Sequence, residues 1–312
     1  MSTAAPLAAT TQGGAWTPRI TVITPSYNQG RFLRTCIDSV LAQGWPNLEY
    51  RVLDGGSSDE TLRILESYGD AIEWRSRPDG GQTAAINEGF EKATGDLIAW
   101  LNSDDYYLPG AFSRAVERLA EEPDACGVHG RAWIVDARGR RLRPYPTFAV
   151  RRDDLRRKCY VCQPATFLRR EVLTRHGLLN ETLDLCFDYD YWLRILRDDR
   201  LAFCDAPLAA SRHYPTTKTA SRRSRALVEA GYLLRHHFGG APWRWSAKWG
   251  VHRFVRSRRP GGQRRALAYA AAEALLAGLR YQRRFAPGAA TSRHGERLLG
   301  RLREGDPRGR PR

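Results

Sequence analysis

The stretch "WLNSDDYYLPG", residues 100–110, sets Asp104 and Asp105 side by side directly after the apolar run "LIAWL". Adjacent carboxylates repel, and at the mouth of a buried strand they cost stability unless positive charge sits opposite. Such a pair suits a hard divalent cation with oxygen ligands, Mg2+ or Mn2+, which keeps several waters and is completed by substrate phosphates. A plainer reading makes Asp105 the cap of the turn "DYYLPG" and turns Asp104 to solvent, because Asn and Asp are ordinary turn residues. The motif alone does not separate the two.

The elements around the pair narrow the choice. "RITVITPSYN" is a β-branched run bounded by Pro25, and "LEYRVLD", "AIEWRS" and "DLIAWL" also read as strands. Between them, "RFLRTCIDSVLAQ" carries apolar residues at helical spacing. "SSDETLRILESYG" is a helix with a capping box from Ser57 to Glu60 and a stop at Gly69, and "QTAAINEGFEKATG" is a third helix. Strands alternating with helices at this pitch predict an α/β fold, a mostly parallel sheet with helices on both faces. Ligands of such sheets gather beyond the carboxyl ends of the strands. Pro25 to Asn28, Asp54 to Ser58 and Asn102 to Asp105 all land at that edge and make a crevice.

Beyond residue 110 the pattern loosens. "GAFSRAVERLAEEP" is a helix, and "CGVHGRAWIVDARGRRL" is two strands joined at "DARG". "RREVLTRHG" is a short helix closed by Gly177, and "DYDYWLRILRDD" is an amphipathic helix. A strand and a polar loop follow in "RLAFCDAPLAASRHYPTTKTAS", and from 221 onward the chain reads as helical and basic.

Four separated blocks, "ITVITPSYNQGRFLRTCIDSVLAQGWPNLEYRVLDGGSSDET", "RPDGGQTAAINEGFEKATGDLIAWLNSDD", "QPATFLRREVL" and "FDYDYWLRI", occur in the order found in family 2 glycosyltransferases. Over residues 19 to 220 the chain resembles that family, including its bacterial envelope-polysaccharide members. The resemblance implies a GT-A-type, Rossmann-like fold and transfer from a nucleoside-diphosphate sugar. Pro25, Ser26 and Tyr27 match the first nucleotide-contacting loop. Asp54 matches the first aspartate of the "DDGS" motif, expected to contact the base, and Gly55 stands where the second aspartate would be. Asn102, Ser103 and Asp104 match the metal-binding "DxD", with Asn102 in place of the first acid, so Asp104 should dominate with help from Asp105. Asp188 matches the aspartate of the catalytic "ED" pair, with Phe187 in place of the glutamate.

In an inverting transfer an acceptor hydroxyl attacks the anomeric carbon opposite the departing diphosphate, through an oxocarbenium-like transition state. The resemblance makes Asp188 the general base for that hydroxyl and a metal on Asp104 the Lewis acid at the leaving group. An N-cap is the competing role for Asp188, and Asp190 is the alternative base. Lys218 or Arg212 would assist at the diphosphate. His213 is a further candidate metal ligand, since relatives carry a histidine before a "P-x-S-K-T"-like segment. Counting back from "PTTKT" without a gap, however, puts Tyr214 there. Asp79 and Gln82 touch the nucleotide or shape a turn; Asn87 caps or braces its loop.

Composition adds location and partners. With 42% hydrophobic and 10% aromatic residues the 312-residue chain can build a large core. Its net charge of +16 is uneven. Residues 1–150 hold 15 basic and 19 acidic side chains, residues 151–239 hold 17 and 11, and residues 240–312 hold 18 and 4. The basic excess is therefore an interaction surface at the C-terminal end. "APWRWSAKWGVHRFVRSRRPGGQRR" interleaves tryptophans with arginines, which suits anionic lipid headgroups. Nucleic acid would use the same residue types, and a plainer reading is a helical extension that packs its aromatics on the catalytic domain with a solvated charged face; a membrane surface is the expectation here, with nucleic acid not expected. No run approaches about 18 apolar residues, and "MSTAAPLAATTQGGAWTP" lacks the marks of a signal peptide. Six cysteines scattered in apolar stretches, "CYVC" included, read as buried residues in a reducing cytosol.

The expectation is a disordered leader over 1–18, a GT-A domain over 19–220 and a basic, aromatic helical extension with a frayed end over 221–312. The domain divides into a nucleotide-sugar half of about 19–110 and an acceptor half of about 111–220. The expected protein is cytoplasmic, peripheral on the inner face of the cell membrane, and acts on a glycan or lipid-linked acceptor in envelope or exopolysaccharide synthesis. Its rivals are a sugar nucleotidyltransferase, for which "TPSYNQGRF" lacks a basic Gly-rich phosphate loop, and a non-catalytic polyanion binder using the arginine-rich end.

Overall fold

The computed structural model describes residues 16–242 together with Trp245, Leu276 and Leu279. Its first strands and helices alternate as the sequence predicts: β1 (Ile20–Ser26), α1 (Gly30–Leu41), β2 (Leu48–Asp54), α2 (Thr61–Glu66), β3 (Glu73–Ser76), α3 (Gln82–Glu91) and β4 (Leu97–Trp100). These four strands are parallel neighbours in the order β3-β2-β1-β4. The second half adds β5 (Tyr106–Tyr107), α4 (Ala111–Glu121), β6 (Gly127–Val135), β7 (Arg141–Pro144), β8 (Thr166–Arg169), α5 (Glu171–His176), α6 (Phe187–Asp198), β9 (Leu201–Arg212), α7 (Lys218–Ser221) and α8 (Arg223–Phe238). Here pairing is mixed: β8 runs antiparallel to β4 and β6, β9 runs parallel to β6, and β5 and β7 close the edges as antiparallel strands.

Side-chain alternation explains the continuous apolar runs. Successive strand residues point to opposite faces, so a strand covered by helices on both sides is apolar throughout. Ile20, Val22, Leu97 and Ala99 pack in one core with α1 and α4, whereas Ile23, Ile98 and Trp100 pack in the other with α3, α6 and α8. Trp100 stacks on Trp192 of α6 with ring centroids 5.5 Å apart.

Helix α6 departs from the amphipathic expectation. From Phe187 to Leu196 every residue except Asp188 is buried. Its polar residues are covered and paired: Arg194 Nε donates to Asp190 at 2.9 Å, and His237 of α8 lies 3.1 Å from the other Asp190 oxygen. Arg194 also donates to the Leu178 carbonyl at 2.8 Å, bracing the turn after α5. That turn is the Gly177 stop, whose φ of +71° favours glycine.

Two boundaries also move. Helix α8 is part of the domain core, because Leu227, Ala230, Tyr232, Leu233 and Leu234 are buried in it, so the domain does not end at 220. Trp245 joins the same core, stacking on Tyr189 at 6.1 Å and donating to the Arg156 carbonyl at 2.9 Å. At the other end, the carbonyls of Thr17 and Pro18 accept hydrogen bonds from Asn47 and Trp45, so the leader's last residues are tied down. The rest of the leader and most of the extension, including Trp243, Trp249 and Phe254, lie outside the described residues.

The expected capping box on α2 does not form. Ser57 Oγ donates to Asp54 instead, and Asp59 accepts from the Thr61 amide. All six cysteines are free thiols, five of them buried.

Candidate active site

Register brings the sequence clusters to one edge, with Ser26 opposite Asp54 at the carboxyl ends of β1 and β2. The loops beyond them are laced together. Asn28, in the left-handed region at φ +51°, accepts from the Ser58 amide at 2.9 Å and donates its own amide to Ser57 Oγ at 2.7 Å. Asp59 takes the Gly30 amide at 2.9 Å.

Pro25 and Ser26 are buried, and Ser26 Oγ has no hydrogen-bond partner, while Tyr27 is 63% exposed. Asp54 is fully buried and accepts from the Gly56 amide at 3.1 Å, the Ser57 amide at 2.8 Å, Ser57 Oγ at 2.5 Å and Ser76 Oγ at 2.7 Å. Both its oxygens are engaged, so it braces the loop rather than presenting itself to a base. Gly55 is open beside it. A Cβ there would sit 3.4 Å from the Tyr27 ring and 3.4 Å from the Asp79 carboxylate, so the absent side chain leaves a slot between the two. Asp79 is held by Arg75 at 3.2 Å and by the Gly81 amide at 2.8 Å.

The two aspartates that follow β4 diverge. Asp105 is buried and accepts the Arg212 amide at 2.7 Å; burial and the charge of Asp104 push its carboxyl well above the usual range. It is therefore an internal tie between β5 and β9, not an available ligand. Asp104 is half-buried and accepts the Tyr214 hydroxyl at 2.8 Å, while its carbonyl accepts from Arg212 at 2.5 Å. Burial raises its carboxyl; the Tyr214 hydrogen bond, Arg212 and Arg31 work the other way. The positive charge opposite the pair is thus protein-borne. Arg212 is buried, its guanidinium 4.7 Å from the Phe32 ring and 5.0 Å from that of Tyr106, and Arg31 lies 4.9 Å from the Tyr214 ring.

Among the described residues no group of three His, Cys, Asp or Glu side chains converges as a metal cage. Asp104 alone still fits an ion that takes one carboxylate and completes its shell with waters and diphosphate oxygens. The unpartnered, buried Ser26 Oγ and Arg212 Nε at this edge are donors that an anion would satisfy. His213 is exposed, its amide donates to the Val135 carbonyl at 2.8 Å, and its imidazole is within electrostatic reach of Asp104, whereas Tyr214 makes the direct hydrogen bond to that acid.

Asn102 is the hub of a relay. It accepts from Gln82 at 2.8 Å and donates to Gln163 at 3.1 Å, and Gln163 in turn donates to the Trp100 carbonyl at 2.5 Å. Lys218 donates to Gln82 at 3.3 Å and pairs with Asp184 at 2.9 Å. Ser103 is buried within the turn. Beside this relay a cavity of about 340 Å3 opens between Gly81, Gln82, Asp184, Lys218, Arg222 and Arg225. Asn87 is a brace, donating to the Leu179 carbonyl at 2.9 Å and to Glu181 at 2.8 Å.

Asp188 lies in the first turn of α6, half-buried, with one oxygen accepting the Tyr189 amide at 2.7 Å. Burial pushes its carboxyl up to about 6, and the charge of Glu229 adds to the rise. The Cys162 thiol, next to Gln163, is within electrostatic reach of both Asp105 and Asp188, which puts the two ends of the site around one segment. Asp190 is excluded as an alternative base. Burial alone would raise it, but Arg194 and His237 hold it below the usual carboxylate range and occupy both its oxygens.

The family model described as glycosyl transferase family 2 matches residues 21–177. The chain belongs to glycosyl transferase family 2. An uncharacterized glycosyltransferase of Rickettsia typhi is 31% identical over 222 residues, covering 66% of this chain and 68% of the relative. Another, of Rickettsia felis, is 30% identical over 213 residues, 63% of this chain but only 34% of the relative. The chain thus spans about a third of the length of some of the curated relatives it matches. In fold it is similar to residues 1–349 of S. aureus TarS in complex with UDP-GlcNAc, with TM-score 0.57, 16% identity and 92% of each chain covered. It is also similar to a mannosyltransferase of Pyrobaculum calidifontis in complex with GDP-Man and Mn2+, with TM-score 0.52, 19% identity and 91% and 79% covered. These likenesses establish the GT-A-type architecture.

The site also contains residues with a weaker sequence signal. Gln163 opens the block "QPATFLRREVL", and Tyr214 is the residue reached by counting back from "PTTKT". Arg31 and Glu229 carry no local signal, being charged residues on helices whose role depends on what packs against them.

Proposed function

We infer that this chain is a metal-dependent, inverting glycosyltransferase that moves a sugar from a nucleoside-diphosphate donor to a hydroxyl acceptor. The observation that carries this reading is Asp188, a half-buried carboxyl in the first turn of α6 raised to about 6, which shares with Asp105 the electrostatic neighbourhood of Cys162. A base with that proton affinity is largely ionised at neutral pH yet basic enough to accept a proton in the transition state.

In this reading Tyr27 and Asp79 flank the base across Gly55. Ser26, Gln82, Asn102 and Lys218 line the path of the ribose and diphosphate, and Asp104 holds Mg2+ or Mn2+. A bound ion would supply Lewis-acid neutralisation of the departing diphosphate. Arg212 and Arg31 share that load from the protein side. Asp188 takes the proton of the acceptor hydroxyl as its oxygen bonds to the anomeric carbon and the bond to the diphosphate breaks. Asp105, tied to the Arg212 amide, has no part in it.

The acceptor is proposed to be a cell-envelope glycan or lipid-linked saccharide, met at a cytoplasmic membrane surface by the basic, aromatic C-terminal segment. Among the described residues no helix is long and apolar enough to cross a membrane, and the proposed contact is peripheral. The test is a thermal-shift screen of UDP-, GDP- and dTDP-sugars with and without Mn2+. Stabilisation by one nucleotide class that requires the metal, and a loss of that metal-dependent stabilisation in Asp104→Ala, are the expected results. A melting point indifferent to all of them overturns the reading.

A further inference from the structure

Where α6 begins this chain has Phe187 and Asp188, and the resemblance to the family implies an acidic pair at these two positions. Phe187 is buried among apolar neighbours and offers nothing to the helix terminus. The first amides of a helix lack partners of their own, and Cys186 at the N-cap supplies no side-chain hydrogen bond. The N-cap residue and the one before it are held from α8 instead. Glu229 of α8, buried, accepts the Leu185 amide at 2.9 Å and the Cys186 amide at 3.1 Å through one oxygen. Its other oxygen is held by Arg225 Nε at 3.2 Å, one turn earlier on α8, and Arg225 also reaches Asp184 at 3.1 Å.

We propose that Glu229 is a positioning residue of this active site: reaching across from α8, its carboxylate takes the place of the acid missing at Phe187 and fixes the turn that carries Asp188. A carboxylate at a helix N-terminus is favoured by the aligned peptide dipoles as well as by the amide hydrogen bonds. Its charge also acts on the base. The titratable groups within reach of Asp188 are Tyr145 from the segment after β7, Cys159 and Cys162 from the segment before β8, Cys186 and Glu229. Burial keeps the phenol and the three thiols protonated. Glu229 is therefore the charge that tunes Asp188, and it makes the base harder to ionise and stronger once ionised.

The inference rests on Asp188 being the base, and the experiment keeps the two apart. The full chain is assayed for hydrolysis of the UDP-, GDP- or dTDP-sugar selected by the screen above. Water serves as acceptor, and nucleoside diphosphate release is followed from pH 5 to 9. Glu229→Gln removes the charge and keeps a hydrogen-bonding group; the acid limb of kcat should move to lower pH, with donor KM held within about twofold. Glu229→Asp keeps the charge and shortens the reach; the acid limb should stay in place while plateau kcat falls by about tenfold or more, as misplacement of a reacting group does. If either variant fails to fold, the other decides. A folded variant with wild-type limb and plateau overturns the role of Glu229. Wild-type hydrolysis by Asp188→Asn overturns the base assignment instead, whatever the Glu229 variants do.

Discussion

The Tyr214 hydroxyl donates to Asp104 at 2.8 Å, and Gln29 donates to the same hydroxyl at 3.5 Å, so the acid at the end of β4 is oriented from the far end of β9. The phenol engages one Asp104 oxygen, and no side-chain hydrogen bond to the other is seen among the described residues. Tyr214→Phe removes one hydrogen bond to a carboxylate and little volume. Metal-dependent nucleoside diphosphate affinity, measured by calorimetry with Mn2+, should weaken about three- to tenfold, with the pH profile of turnover unchanged.

Asp188 gives a pH prediction whose sign follows from its raised proton affinity. The base works ionised, so turnover should climb through pH 6 and level off above it. Folding feels the same shift in the opposite sense. The folded chain favours the protonated acid, so stability contributed by that preference is present below about pH 4 and lost as pH rises through about 6. Asp188→Asn should therefore cut turnover at least about a hundredfold. The same variant should resist urea better at pH 8 by about 1–2 kcal/mol, and no better at pH 4. Donor affinity should stay near wild type.

Asp54 tests the distinction between bracing and binding. Replacing it by Asn turns one acceptor oxygen into a donor facing amides or hydroxyls that need acceptors. Asp54→Asn should lower stability to urea by about 2–4 kcal/mol, a loss that a residue merely contacting the base would not show. Nucleotide affinity should fall with it, because the loops after β1 and β2 share their hydrogen bonds.

The sequence revealed what depends on local order. Apolar β-branched runs gave β1, β2 and β4, and the polar clusters after them met because parallel strands end together. It missed what depends on packing. Ser57 and Glu60 have the spacing of a capping box, but Asp54 captures Ser57 first. Asp105 reads as half of a metal pair until the Arg212 amide is seen on it. The polar residues of α6 read as a solvent face because α8, which buries Asp190 and Arg194, lies far along the chain. Glu229 was invisible for the same reason: its partners are backbone amides, which leave no trace in residue types.

Trp245 stacks on Tyr189, the residue after Asp188, from the segment that leads into the arginine-rich end. A truncation made at 240 would strip an indole from the core beside Asp188, and any lost activity would be mistaken for evidence that the tail takes part in recognition. A cut placed beyond Trp245 separates the two, because it trims the arginines and leaves the stack of Trp245 on Tyr189 in place.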